Sequence, residues 1–312
     1  MAIIRGGDAR YENPSLGFGE KKSRLEQIIR AQLKASPDSL SLNEKYLGLD
    51  EAKILAQCQA LQTIKTLNLS DNQINNEGFK FLLESQFMEN LEHLDLGINF
   101  LTDSGFKEVI ASDTVRMKSL KTLLLNDNRL GDSSLEVLVR TPTFSGLEFL
   151  NLDYTQVSNG LAKALGNTSN LAKLKTLSLE RGYINDQGME DFVTWSGLVG
   201  LENLNLSTNK LTAKGVIKLA ACKKLKSLKA LSLSYNLIED EGIKALGTSP
   251  NLATLRELNV GRNPFTEKGA AFLKESKTLT AIKVLILYEG ADNTPDLVNF
   301  SKPELLAPKG QN

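Results

Sequence analysis

From Ile64 onward the apolar residues fall in one fixed order. Two stand three positions apart, a third follows after a single intervening residue, an asparagine comes three later, and a last apolar residue two beyond that. Ile64, Leu67, Leu69, Asn72 and Ile74 fill it; so do Leu91, Leu94, Leu96, Asn99 and Leu101, and Leu120, Leu123, Leu125, Asn128 and Leu130. Further copies start at Leu147, Leu174, Leu201, Leu228 and Leu255. A degenerate last copy starts at Ile282 with Leu285 and Leu287, and a degenerate first copy uses Leu40, Leu42 and Leu47. The spacing from start to start is 27, then 29, then 27 six times, which makes ten units. So regular a period announces a repeat architecture.

Each unit has two halves. The first, such as Thr66-Leu67-Asn68-Leu69, alternates with a period of two and predicts a short strand. The second opens with Gly and continues at helical spacing: Phe79, Leu82 and Leu83 after Gly78, or Phe106, Val109 and Ile110 after Gly105. The Gly fits either a tight turn or a close approach of backbones. No single unit buries its own apolar stripe, so the units must stack, strands in one parallel sheet and helices in an outer layer. Helices are wider than the strand spacing of about 4.8 Å, so the stack curves with strands on the concave side. The asparagine column (72, 99, 128, 209, 236, 263) is read as structural, its amides satisfying backbone groups where the chain leaves the strand. Thr155, Gly182 and Gly290 depart from it. Ahead of the array, Leu25, Ile28, Ile29 and Leu33 predict an amphipathic cap helix over 20–36, with Ser23 and Glu26 as a capping box and Pro37 as its stop. The expected division is an N-terminal arm over 1–19, the cap helix, a solenoid over 37–292 and a C-terminal tail over 293–312.

On these residues the chain resembles the ribonuclease-inhibitor-like class of leucine-rich repeats, over about 38 to 290. Ile74 followed four later by Gly78, and Ile238 by Gly242, carry that class's strand-to-helix signature. The resemblance implies an α/β leucine-rich-repeat solenoid, a horseshoe with a parallel sheet inside and helices outside. Members include ribonuclease inhibitor, the repeat domains of innate immune sensors and the Ran GTPase-activating protein. Few cysteines and a Lys- and Asn-rich composition are closer to effectors of intracellular bacteria such as Legionella.

Composition narrows the function. Lys plus Arg and Asp plus Glu are both 37, so no net charge draws a polyanion, and no nucleic acid is expected. The two cysteines, Cys58 and Cys222, have no partner spacing and suit a reducing compartment. No apolar run reaches the roughly 20 residues of a membrane span, and the first residues lack a secretory signal. The expectation is a cytoplasmic protein, monomeric when unbound; as an effector it would enter a host cytosol without a cleaved signal.

Alternation also sorts the surface. The residues between the strand leucines (Asn68, Asp95, Leu124, Asn151, Ser178, Asn205, Ser232 and Asn259) are expected to stand open on the concave face. His93 and Phe149 lie one step earlier in their strands. Ile98, Asp127, Tyr154, Arg181, Tyr235 and Arg262 precede the asparagine column, and Phe100, Arg129, Tyr183 and Leu237 follow it. Asp153 and Glu180 complete the set. Aromatics are only 6% of the chain, so their gathering in exposed columns beside Arg and acidic groups points to an interface. The expected partner is another protein, either a host protein or a bacterial enzyme. No cofactor is expected, because no metal-ligand spacing, phosphate loop or catalytic constellation is present. The single histidine, His93, shares a face with Asp95 at about 7 Å, too far for a tight dyad. Activation of a small GTPase, as in the Ran-directed relative, would call on Arg129 or Arg181; a ubiquitin-ligase adaptor would need a second partner on the arm. The basic run from Lys210 to Lys229 reads as a solvated convex face.

Overall fold

The computed structural model describes residues 16–287. The expected arm up to residue 15, the tail and Gly290 lie outside the described residues. Ten three-residue strands form one parallel sheet in chain order: β1 Ser39–Ser41, β2 Thr66–Asn68, β3 His93–Asp95, β4 Thr122–Leu124, β5 Phe149–Asn151, β6 Thr176–Ser178, β7 Asn203–Asn205, β8 Ala230–Ser232, β9 Glu257–Asn259 and β10 Val284–Ile286. The register is one repeat at every step, Leu67 beside Leu94 beside Leu123. Between strands run α2 Leu49–Ala56, α3 Asn76–Glu84, α4 Asp103–Ile110, α5 Asp132–Arg140, α6 Asn159–Gly166, α7 Asp186–Phe192, α8 Ala213–Ala220, α9 Asp240–Thr248 and α10 Glu267–Lys274.

The repeating leucines and the helix stripe meet between the two layers. Ile64, Leu67, Leu69, Ile74, Phe79, Leu82 and Leu83 of one unit are all fully buried. Stacking continues from unit to unit, as where the rings of Phe79 and Phe106 lie parallel at 5.2 Å. Ahead of the array, α1 (Phe18–Ala35) buries Leu25 and Ile29 against the first unit. Its start corrects the capping box placed at Ser23. The helix begins at Phe18, where Glu20 accepts the Gly17 N–H at 3.0 Å, so Ser23 already lies within it. An acidic side chain one turn in serves the first open N–H as well as a serine cap.

Two polar ladders hold consecutive units in register. The first is the asparagine column. Asn209 donates to the Leu179, Leu206 and Ser207 carbonyls at 2.9–3.1 Å and accepts the Ile184 N–H at 3.0 Å. Asn72, Asn99, Asn128, Asn236 and Asn263 repeat this bridge to the preceding unit. At Thr155 the hydroxyl reaches only Leu152 O, in its own unit. The second ladder runs along the helix starts. A carboxylate or amide at the start of one helix accepts N–H groups from the start of the next. Asp132 takes Ser158, Gly160 and Leu161, and Asp186 takes Thr212 and Gly215. Negative charge at a helix N-terminus is favourable. Burial pushes the Asp103 carboxyl up, but hydrogen bonds from Ser134 and Gly131 outweigh it and hold the group below the usual aspartate range. This ladder settles the role of the recurring Gly as close approach: a Cβ on Gly105 would stand 2.2 Å from the Asn76 amide.

The gaps in the first ladder differ in kind. Thr155 can be replaced by an amide that reaches back one unit, whereas a Cβ on Gly182 would meet Val157 Cγ2 at 2.8 Å and Asn209 Oδ1 at 2.9 Å. Thr155→Asn is therefore expected to raise the urea midpoint, by about 1 kcal/mol of stability, and Gly182→Asn to lower it. The same sign for both substitutions would show that the amide column does not set local stability.

Candidate functional site

The strand exits, not the sheet floor, carry the accessible chemistry. The residue before each position of the asparagine column, whether that position holds Asn or, after Tyr154 and Arg181, Thr155 and Gly182, turns the chain out of the strand with a left-handed backbone: φ is 54° at Ile98, 52° at Asp127, 56° at Tyr154, 57° at Arg181, 53° at Tyr235 and 56° at Arg262. That turn carries alternate side chains onto a rim along the C-terminal ends of the strands. Ile98, Phe100, Arg129, Tyr154, Arg181, Tyr183, Tyr235, Leu237 and Arg262 are all exposed there. His93, Asp127, Phe149 and Glu180 are half-buried.

The expectation of an open column between the strand leucines is corrected. Asp95, Leu124, Asn151, Ser178, Asn205, Ser232 and Asn259 are all buried, Leu124 to 1%. Side chains on the inside of a curved sheet converge, and here they also bond to the chain and to one another. Asp95 accepts the Gly97 N–H at 2.9 Å, and Asn68, Asn151, Asn205 and Asn259 make the same bond two residues on. Ser178 donates to Asp153 at 2.6 Å and Asn205 to Ser178 at 3.1 Å. Leu124 is flanked in register by Asp95 and Asn151 and lies outside the main core. Asp95 and Leu124 thus pave the floor and present nothing to a partner. Asp153 is likewise buried, to 1%. His93 bonds Thr122 Oγ1 at 2.9 Å, and burial holds its imidazole below the usual range.

On the rim, aromatic rings and cations pair across one repeat. The Arg181 guanidinium lies over Tyr154 at 5.3 Å, the Lys210 ammonium over Tyr183 at 4.9 Å, and the Arg262 guanidinium over Tyr235 at 5.9 Å. Such contacts fix the rings at an exposed site. Glu180 accepts from the Tyr154 hydroxyl at 3.3 Å and from Asn205 at 3.1 Å. Lys210, which the sequence assigns to the basic convex run, stands on this rim instead. Its signal in the sequence is an offset: Tyr154, Tyr183 and Tyr235 are each followed 27 residues later by a cation, whereas Tyr46 is followed by Gln73.

The family described as Leucine Rich repeat matches residues 60–83, 201–220, 224–247 and 251–274. The chain is a leucine-rich-repeat solenoid. No curated protein matches it. Among 398 matching chains of solved structures, the TLR13–ssRNA13 complex has a TM-score of 0.50 and 19% identity, over 80% of this chain and 36% of that one. The chain thus spans about a third of the TLR13 chain, and the likeness is one of fold. Internalin C2 from Listeria monocytogenes matches with a TM-score of 0.47 and 22% identity, over 73% of this chain and 82% of that one. No described helix of the solenoid is long and apolar enough to cross a membrane, and among the described residues no cluster of metal-ligating groups occurs.

Two substitutions test the site's energetics. Ile98 is β-branched, 45% exposed and left-handed, a conformation that costs such a residue about 1–2 kcal/mol. Ile98→Gly should raise stability by about 1 kcal/mol in urea unfolding. Leu237→Gly, at an equally exposed position outside the left-handed set, should lower it. Loss of stability in both would remove backbone strain from the account. At Asp153, burial pushes the carboxyl up to about 6 against hydrogen bonds from Ser178 and Glu180, and Oδ2 has no partner. The folded value lies above the unfolded one, so the native state holds an extra proton between them, and stability falls as pH rises toward 6. Asp153→Asn should raise the thermal midpoint at neutral pH, by about 2 kcal/mol of stability, and the gain should vanish near the ordinary aspartate pKa of about 4. A gain independent of pH would assign it to packing.

Proposed function

We propose that the chain is a binding module that captures another protein along the rim formed by the strand exits from β3 to β9. One observation carries the reading. Ile98, Tyr154 and Tyr235 keep large exposed side chains at left-handed positions, where Gly or Asn would relieve the backbone. Their contacts within the chain are a cation over each tyrosine ring and one long hydrogen bond from Tyr154, so most of their exposed surface is left for use outside the fold. Around them Phe100, Tyr183 and Leu237 add apolar area, and Arg129, Arg181 and Arg262 supply the aromatic-plus-arginine composition of interface anchors. The TLR13 structure holds an RNA, but the zero net charge here favours a protein over a polyanion. Action is by occlusion or capture, of a host protein or a bacterial enzyme, as the resemblance to effectors implies.

The test is Tyr154→Ala combined with Tyr183→Ala. Both rings are exposed, so the circular dichroism spectrum and thermal midpoint should hold. Partner captured from lysate by the wild type should bind the double variant far more weakly in a calorimetric titration. Each true anchor should cost about 2 kcal/mol or more, roughly 30-fold in affinity. Equal affinity for the two forms would move the site off this rim.

A further inference from the structure

The two edges of the sheet treat their charges in opposite ways. Just before the strands, on the rim opposite the exits, lysine and glutamate alternate by repeat: Lys65, Glu92, Lys121, Glu148, Lys175, Glu202 and Lys229. These close on one another. Lys65 pairs with Glu92 at 3.0 Å, Lys175 with Glu148 at 2.7 Å and Lys229 with Glu202 at 2.6 Å, while Lys121 also binds Glu92. Glu92, held by Lys121 and Lys65, has its carboxyl pulled down to about 2. From Lys65 to Lys229 charge on that edge is internally satisfied, and beyond it Arg256 and Lys283 continue the column without an ion pair among the described residues.

The exit rim leaves its cations open. Arg181, Lys210 and Arg262 each lie over a tyrosine of the preceding repeat, and among the described residues none is paired with a carboxylate. A guanidinium lying over a ring can still take a carboxylate through the N–H groups that the tyrosine does not engage. The acids of this rim lie mostly toward the other end, at Asp71 and Asp127, and Glu180 is occupied by Tyr154 and Asn205. The rim is therefore polar along its length, with open positive charge between β6 and β9.

We infer that the partner presents an extended acidic segment, and that its carboxylates engage Arg181, Lys210 and Arg262. This rests on the rim being the binding surface. From β6 to β9 is three strand spacings, about 14 Å, which an extended chain covers in about four residues. By strand spacing the β6 and β7 cations lie about 5 Å apart and the β7 and β9 cations about 10 Å apart, and carboxylates on one side of such a segment, recurring about every 7 Å, reach both through flexible side chains. The intervening side chains meet the tyrosine rings. A nucleic acid carries the same charge sign, but it needs a continuous positive track, and this chain has no net charge to supply one.

The probe is a fluorescein-labelled peptide of alternating glutamate and valine, read by fluorescence anisotropy on the full chain. A lysine–valine peptide and a single-stranded oligouridylate of the same length serve as comparisons. The glutamate peptide should bind, and added salt should weaken it. Arg181→Gln with Arg262→Gln should weaken it about tenfold, and Arg181→Lys with Arg262→Lys should weaken it less, because the charge stays while the bidentate fork is lost. No binding of the glutamate peptide, equal binding by the glutamine variant, or tighter binding of the oligouridylate would each overturn the inference. The captured partner separates this from the broader reading. If its affinity falls with the tyrosine substitutions but not with the glutamine pair, the rim stands and the acidic segment is wrong. If neither changes it, both readings fall.

Discussion

A buried asparagine amide is the joint on which this solenoid turns. Each strand is three residues long, too short to fix its own register through ladder hydrogen bonds alone. The amide after the strand donates to carbonyls of its own exit and of the preceding unit's strand, and it accepts the N–H of the residue where that unit's chain re-enters the core. Those backbone groups lie away from water and would each cost about 1–3 kcal/mol if left unpaired. To put the amide inside, the chain must reverse direction just before it. That is the left-handed residue seen at the exits from Asp71 to Arg262. Interior satisfaction and rim geometry are one constraint.

The helix layer shows the same economy in a different chemistry. Asp103, Asp132, Asp186 and Asp240 each bond the start of the following helix. The next unit then has little room for a side chain where that carboxylate or its amide equivalent arrives, and glycine recurs there. A glycine that looked like punctuation in one repeat is thus the imprint of the repeat before it. Ser134 and Leu161 are the exceptions: each carries a side chain where other units have glycine and still donates its N–H, to Asp103 and to Asp132, so the glycine is favoured there and not required.

Period and alternation made the sheet, the helices, the stacking and the asparagine column legible, because each depends on residues within one unit or at the same place in the next. Exposure was harder to read. Alternation says that Asp95 and Leu124 leave the core side of the sheet, and they do. It does not say that the inside of a curved sheet is crowded, or that an aspartate there will bend back to the chain two residues on. Asp153 failed for a related reason: a carboxylate beside Tyr154 reads as a surface charge until Ser178 and the Glu180 N–H are seen to close over it. The tyrosine–cation pairs were present in the sequence as an offset of one period. They stay hidden while each column is read down its own length and no residue is compared diagonally with its neighbour's.

These constraints decide where the molecule has freedom to carry a function. On the floor, asparagine, serine and aspartate are committed to backbone groups and to each other, so a change there costs the fold. On the edge before the strands, lysines and glutamates neutralise one another, which steadies the stack and leaves little for a visitor. At the exits the fold dictates only the backbone turn, and it asks for the smallest residue. Isoleucine, tyrosine and arginine stand there instead, with cations resting on rings and their charge unspent. The exits thus hold rings and cations in a line, and a line of rings and cations at repeat spacing suits an extended segment better than a compact ligand.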